Sequence, residues 1–397
     1  RPKGNSSLRR AISLGKNQYS LRLNFDKYTG AEVFGISDIN LNNCIGDPTY
    51  IREALAYEFM EYMGLCVPQR VFCNLYINDK NYGVYLAVQQ VDRNLLKAWF
   101  ENNDGDLYKP DMQTADLKYY GDRIENYPGM ILKSNEKTSD GSKVLKMIDI
   151  LNHGGDIEEV LDVDAILKYF AVSTSIVNLD SYQGGMFHNY YLYEVDGVFC
   201  IIPWDFNETF MPFGNRTGMG EKDMTIDVVK FLIDEPTSGP VHNYPLIEKL
   251  LSVPEYRDRY HKYIGELIEG PMKFENVRER AIAWHKMLDE HVKNDSVPLA
   301  SYFEFRNSLY EKDYREVREK VKNRIIMGGD PPALLTFIKR RVENIKAQLN
   351  GDIPSTNNGQ GNITRNKDMR PKPGNNGPDG EKPPIDGYRK PLPKPGK

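Results

Sequence analysis

Between Asn178 and Phe210 the sequence gathers side chains that could do chemistry. It reads Asn178-Leu179-Asp180-Ser181-Tyr182, then His188-Asn189-Tyr190-Tyr191, then Pro203-Trp204-Asp205-Phe206-Asn207. Asp180 closes an apolar helical segment, Asn189 stands before a predicted strand, and Asp205 follows the next one. A tight turn at Asp196-Gly197 joins the two strands and lets the three side chains converge. A carboxylate and an amide oxygen suit a hard divalent cation, which takes oxygen ligands together with water and phosphate. One carboxylate left over to meet a hydroxyl proton completes the requirement for phosphoryl transfer.

The order of these groups follows the protein-kinase template, in which a base Asp precedes a metal-binding Asn and a hairpin then delivers a second Asp in Asp-Phe-Gly. Two departures are visible. Asp180 and Asn189 are nine positions apart, where the usual loop has about five, and Asn207 stands where the template has Gly. Singly, each residue is better explained as a helix cap or turn; the ordered triple favours chemistry. His188 invites a metal or acid–base reading because an unperturbed imidazole titrates near neutrality, but Asn189 is the better metal ligand, and His188 reads as a packed or supporting side chain. The other five histidines are scattered and have no ligand spacing.

Elements that would position these groups follow from periodicity. Residues 19–25 alternate as a half-buried strand. Asp47-Pro48-Thr49 opens an amphipathic helix with Ile51, Leu55, Phe59 and Met63 on one face, Arg52, Glu53 and Glu58 on the other, and Gly64 as the stop. Val71–Ile77 and Tyr82–Val88 read as a hairpin around Asn78-Asp79-Lys80-Asn81, and residues 104–127 as a surface loop. Helical periodicity returns from Val160 and dominates to about Leu349, with segments at 245–251, 256–268, 277–291 and 332–349. Trp284, Tyr256, Tyr260 and Tyr263 fall at helical spacing and read as core. The result is an α+β chain: a sheet-rich lobe with one helix over 1–110, a mainly helical lobe carrying the hairpin over 111–350, and a Pro/Gly/Asn-rich tail over 351–397 too poor in apolar residues to order itself. Ser355, Thr356 and Thr364 are flexible hydroxyls near the body, available for self-modification.

Composition limits partners. Lys plus Arg number 52 against 56 Asp plus Glu, a formal charge of −4, so no global positive field recruits nucleic acid. No apolar run is long enough to span a membrane, and a start at Arg1-Pro2-Lys3 fits a chain whose leader has been removed. The four cysteines have no zinc spacing; they read as buried thiols, with a Cys66–Cys73 disulfide as the alternative. Gly4-Asn5-Ser6-Ser7 could cover phosphates with backbone N–H groups and the Ser6 and Ser7 hydroxyls, or be an ordinary turn.

Gly4 to Ser7, Asp47 to Glu58, Tyr82-Gly83-Val84-Tyr85, Leu107-Tyr108-Lys109, Asp180 with His188 to Tyr191, and Pro203 to Asn207 resemble the CotH kinase family in the same order. The likeness continues through Pro245-Leu246-Ile247 and Tyr256 to Lys339-Arg340-Arg341-Val342-Glu343. The resemblance implies a divergent bilobal protein-kinase-like fold, ATP with Mg²⁺ or Mn²⁺, and Ser or Thr of proteins as acceptors, with spore-coat proteins the known substrate class and the spore coat or cell surface the expected location. It makes Asp180 the catalytic carboxylate and Asn189 and Asp205 the metal ligands. Trp204 would line the nucleotide pocket, and Lys16, Arg22, Arg52 and Lys109 are the bases to examine for phosphate contact. Gln89 stands where the family leads one to expect Glu; an amide there could hydrogen-bond but not ion-pair. The alternative is a kinase-like scaffold that has lost activity and serves coat assembly or surface adhesion, since fold alone does not guarantee chemistry.

Overall fold

The computed structural model describes residues 1–211, 224–225, 227–310, 332–362 and 364–365. Where the sequence suggested a polar turn, the chain forms helix α1 (Ser6–Ser13). Gly4, at φ 78°, turns the chain into it, while the Lys3 N–H donates to the Ser20 carbonyl and anchors the preceding residue. Strand β1 (Leu21–Asn24), a helical turn α2 (Asp26–Thr29), β2 (Asp38–Asn42), helix α3 (Arg52–Tyr62), β3 (Arg70–Ile77), β4 (Lys80–Gln89) and α4 (Arg93–Trp99) follow. The four strands form one antiparallel sheet in the order β1-β2-β4-β3. The hairpin turn is tighter than the four residues expected. Asn78 and Asp79 both adopt positive φ, 48° and 62°, the geometry that matches strand twist in a two-residue turn, so Lys80 already pairs with Ile77.

A second antiparallel sheet has the order β6-β5-β7-β8. It joins β5 (Leu107–Pro110) and β6 (Met130–Leu132) to the hairpin of β7 (Tyr190–Val195) and β8 (Val198–Pro203). The stretch read as a surface loop therefore holds an inner strand, whose Leu107 and Tyr108 are buried. Helix α5 (Ser142–His153) precedes α6 (Val163–Ser175), which is buried along most of its length and packs against α3 and β8. Helices α7 (Pro245–Ser252), α8 (Pro254–Glu269), α9 (Phe274–Lys293), α10 (Tyr302–Asn307) and α11 (Leu334–Leu349) complete the helical part.

The helical part does not stay apart from the first sheet. Trp284 of α9 meets Phe72 of β3 edge-on at 5.6 Å, and Phe305 of α10 packs edge-on against Tyr50. Tyr260 is fully buried and Tyr256, Tyr263 and Trp284 pack on the core. All four cysteines are free thiols, so the disulfide alternative is not formed. Among the described residues no helix is long and apolar enough to cross a membrane.

Arg341 of α11 is a structural hub, fully buried. Its guanidinium donates to the carbonyls of Thr174 (3.0 Å), Ser175 (3.3 Å), Val229 (3.1 Å) and Phe231 (2.6 Å). A cation there meets the last carbonyls of α6, which have no partner inside the helix.

The first part of the segment expected to be disordered is ordered on the body. Residues 351–362 dock on the body: the Asp234 N–H donates to the Ser355 carbonyl at 3.1 Å, and the Gly359 and Gly361 N–H groups donate to the two oxygens of buried Glu235 at 2.7 and 2.9 Å. Short strand β10 (Thr364–Arg365) then pairs with β9 (Met224–Thr225). Composition misjudged this segment because it docks through backbone N–H groups and asparagine amides, not apolar side chains. Residues 366–397, the rest of the predicted tail, lie outside the described residues.

Two expectations follow. Arg341→Met should lower stability in urea unfolding by at least about 3 kcal/mol, because several buried carbonyls lose a charged donor; a change under about 0.5 kcal/mol would refute its role as a hub. A chain ending at Arg365 should melt within about 2 °C of the parent, whereas one ending at Asn350 should melt at least about 5 °C lower, since Glu235 is left buried without its donors. Equal melting temperatures for the two would mean the 351–362 segment contributes nothing.

Candidate active site

The loop after α6 is shaped for one carboxylate. Val177 takes φ 55°, the Ser181 hydroxyl donates back to the Asn178 carbonyl at 2.7 Å, and a short 3-10 turn spans Tyr182–Gly184. A Cβ on Gly184 would stand 1.5 Å from the Leu179 carbonyl oxygen, so only glycine fits. The chain returns through His188 and Asn189 into β7, and the longer spacing between Asp180 and Asn189 is accommodated by this turn.

Asp180 is held by both returning residues. His188 Nε2 lies 2.7 Å from Asp180 Oδ1, and Asn189 Nδ2 donates to Asp180 Oδ2 at 3.1 Å and to the Asp180 carbonyl at 2.9 Å. With its NH₂ group spent on Asp180, Asn189 keeps its amide oxygen available as a ligand. Asn189 and Asp205 both sit at φ 59°, a left-handed conformation that Asn and Asp adopt more readily than other side chains. Each flanks the β7–β8 hairpin, on neighbouring strand ends.

Asp205 is tied to α3. Its N–H donates to the Tyr57 hydroxyl at 3.1 Å, and the ring of Phe206 meets the Tyr57 ring edge-on at 5.0 Å. One helical turn before Tyr57, on the same face, Glu53 is buried and accepts from Asn42 Nδ2 at 2.8 and 2.9 Å. The expected polar face of α3 is thus not a solvated one. Burial, reinforced by the Asp205 charge, pushes the Glu53 carboxyl up, with Lys3 opposing.

Asp180, His188, Asn189 and Asp205 line a cleft of about 600 Å³, a size common for small-ligand sites. Lys3, Ser6, Ser7 and Arg9 stand on the α1 side, and Asn42, Lys109, Asp111, Asp180, His188, Asn189, Asp205 and Asn207 are among the other residues that line it. Burial lowers the Lys3 and Lys109 ammonium pKa values, against which the charge of Asp205 acts in both cases. For His188, burial disfavours the imidazolium, but the Asp180 hydrogen bond and the charges of Asp180, Asp205 and Asp111 outweigh it and raise the pKa.

Of the residues singled out in the sequence, Asp180, Asn189, Asp205, Ser6, Ser7 and Lys109 are brought together in the cleft. Others stand elsewhere. Trp204 is buried behind it, edge-on to Tyr191 at 5.8 Å and with Lys3 Nζ 5.7 Å from its ring centre. Arg22 is paired with Asp38 at 2.6 Å. Arg52 is buried against Asp47 at 3.2 Å and donates to the carbonyls of Phe210 and Pro332, so it clamps backbone. Lys16 does not line the cleft and acts electrostatically on Asp295. Gln89, at the end of β4, accepts from the Gln69 N–H at 3.3 Å. Sequence reasoning missed Lys3, Asn42 and Glu53; Lys3 beside the Gly4 turn carried the one local signal.

Among the described residues no three or more His, Cys, Asp or Glu side chains gather into a metal shell. The Asp180 and Asp205 carboxylates and the Asn189 amide oxygen make a partial oxygen set of the kind completed by water and phosphate, with Asp111, Asn207 and Glu208 lining the same cleft. With two lysines across the cleft, the arrangement can hold a polyanion and its counter-cation beside a carboxylate.

The chain matches a family model described as CotH kinase protein over residues 1–326. It is also 26% identical over 280 residues to inner spore coat protein H of Bacillus subtilis (strain 168), covering 66% of this chain and 72% of that protein. With a match across most of its length, the chain belongs to the CotH kinase protein family.

Proposed function

We propose that the protein is an ATP-dependent kinase of divergent protein-kinase-like fold, transferring the γ-phosphoryl group to Ser or Thr of proteins, itself included. The observation that carries this reading is the convergence of Asp180, Asn189 and Asp205 on one cleft with Lys3 and Lys109. The name of the Bacillus relative, an inner spore coat protein, supports coat proteins as acceptors and the spore coat as location.

In this reading Asn189 and Asp205 hold a Mg²⁺ or Mn²⁺ ion, which when bound neutralises phosphate charge and orients the transferred group. Lys3 and Lys109 supply positive charge to the phosphates, and the Ser6 and Ser7 hydroxyls and N–H groups at the start of α1 stand on the same side. Asp180 has each carboxylate oxygen engaged by one N–H donor and retains a lone pair on each for the acceptor hydroxyl. His188 and Asn189 fix its rotamer, so the base is positioned before the acceptor arrives.

An inactive-scaffold reading drew its support from Gln89. That residue bonds a neighbouring backbone outside the cleft, while Glu53 supplies an acidic group near Lys3, so Gln89 no longer argues against activity.

Incubation with γ-labelled ATP, each metal and a Ser-rich protein should transfer label; no transfer with either metal would overturn the kinase reading. Asp205→Ala should abolish metal-dependent nucleotide binding and leave circular dichroism unchanged, and normal Mg-ATP binding with turnover would return Asp205 to a turn-forming role. Asp180→Asn should keep nucleotide affinity and lower kcat by roughly 10²–10⁴-fold. Equal loss of affinity and turnover would instead place Asp180 among the metal ligands.

A further inference from the structure

In protein kinases a lysine that contacts phosphate is paired directly with a glutamate on a helix. Lys3 and Glu53 do not touch. Lys3 Nζ donates to Asn42 Oδ1 at 2.6 Å, and Asn42 Nδ2 donates to both Glu53 oxygens. Asn42 ends β2, is buried, and pairs across the ladder with Leu86. Its amide can sit only one way round: reversed, it would put NH₂ against an ammonium and oxygen against a carboxylate.

We propose that Asn42 is a positioning residue, a neutral spacer that ties the Lys3 ammonium to Glu53 and α3 without neutralising it. The inference rests on the reading of this cleft as a phosphate site. A direct carboxylate partner would compensate the Lys3 charge at contact distance; an amide fixes the ammonium and leaves its charge for ligand oxygens. Among the described residues Lys3 forms no ion pair at contact distance, and its Nζ also stands over the Trp204 ring. Because Tyr57 of α3 holds the Asp205 N–H, the same helix registers the ammonium through Asn42 and the carboxylate-bearing strand end through Tyr57.

The test exchanges the two groups. Asn42→Asp alone would set two carboxylates side by side and endanger folding, but Asn42→Asp combined with Glu53→Gln keeps the total charge and an equivalent set of hydrogen bonds while placing a carboxylate directly on Lys3. Affinity for Mg-ATP and for inorganic tripolyphosphate is measured by calorimetry in the parent and the exchanged protein, with melting temperatures and, for ATP, KM and kcat. The exchanged protein should melt like the parent, bind both probes about tenfold more weakly, and show the loss in KM with kcat within about threefold. Affinities within twofold of the parent in a protein that melts normally would overturn the spacer role while leaving the kinase reading intact. If the parent binds tripolyphosphate but transfers nothing from ATP, and the exchange still weakens binding, the spacer role stands and the kinase reading falls. A parent that binds neither probe would overturn both.

Discussion

The geometry of the cleft depends on buried guanidinium groups that hold backbone carbonyls. Arg341 reaches from α11 to the last turn of α6, the helix that delivers Asp180 a few residues later, and to the 229–231 segment. Arg52 does related work at the start of α3, holding the carbonyls of Phe210 and Pro332 while Asp47 balances its charge. A helix end or loop buried without donors is costly. A delocalised cation with five N–H groups can satisfy several carbonyls at once from one side chain. The sites of Asp180 and of the segment after Asp205 are therefore set by long-range contacts and not by local turn chemistry alone.

Inside that frame, the cleft is a balance of buried charges. The Asp205 charge acts on Lys3, Lys109 and Glu53, and for all three the largest influence is removal from water. Such a set is tolerable when the charges are compensated and hydrogen-bonded. Asn42, Tyr57 and His188 perform the hydrogen-bonding part, each touching one charged or ligand-bearing group and connecting it to a different element. The cleft is preorganised in this sense: its polar groups are already oriented by the protein.

Much of this was legible in the chain itself, and the parts that were not share a cause. The order Asp180, Asn189, Asp205 could be read because a single turn and a hairpin connect them. Helix α3 announced itself through its apolar spacing and its Asp47-Pro48-Thr49 start, and the β7–β8 hairpin through Asp196-Gly197. Strand β2, with the polar sequence Asp-Ile-Asn-Leu-Asn, and the short β5 gave too little periodicity to stand out, yet both are inner strands. The polar side of α3 looked solvated because burial of Arg52 and Glu53 requires partners far away in sequence. Gln89 drew attention by substitution pattern, when the acid near Lys3 was Glu53. The 351–362 segment was misread because a search for apolar faces does not register docking through backbone amides.

The reach of the Arg341 and Arg52 contacts also sets when the molecule can become whole. Arg341 meets Thr174 across 167 residues of chain, and Arg52 meets Pro332 across 280. During synthesis α6 leaves the ribosome long before α11, so the carbonyls at its end must stay hydrated or transiently capped until the last helix arrives. Contacts of such sequence separation carry a large loop-closure cost before they give any return. The cleft is accordingly one of the last features to be completed, and a nascent chain short of α11 has the sequence of the site without its architecture.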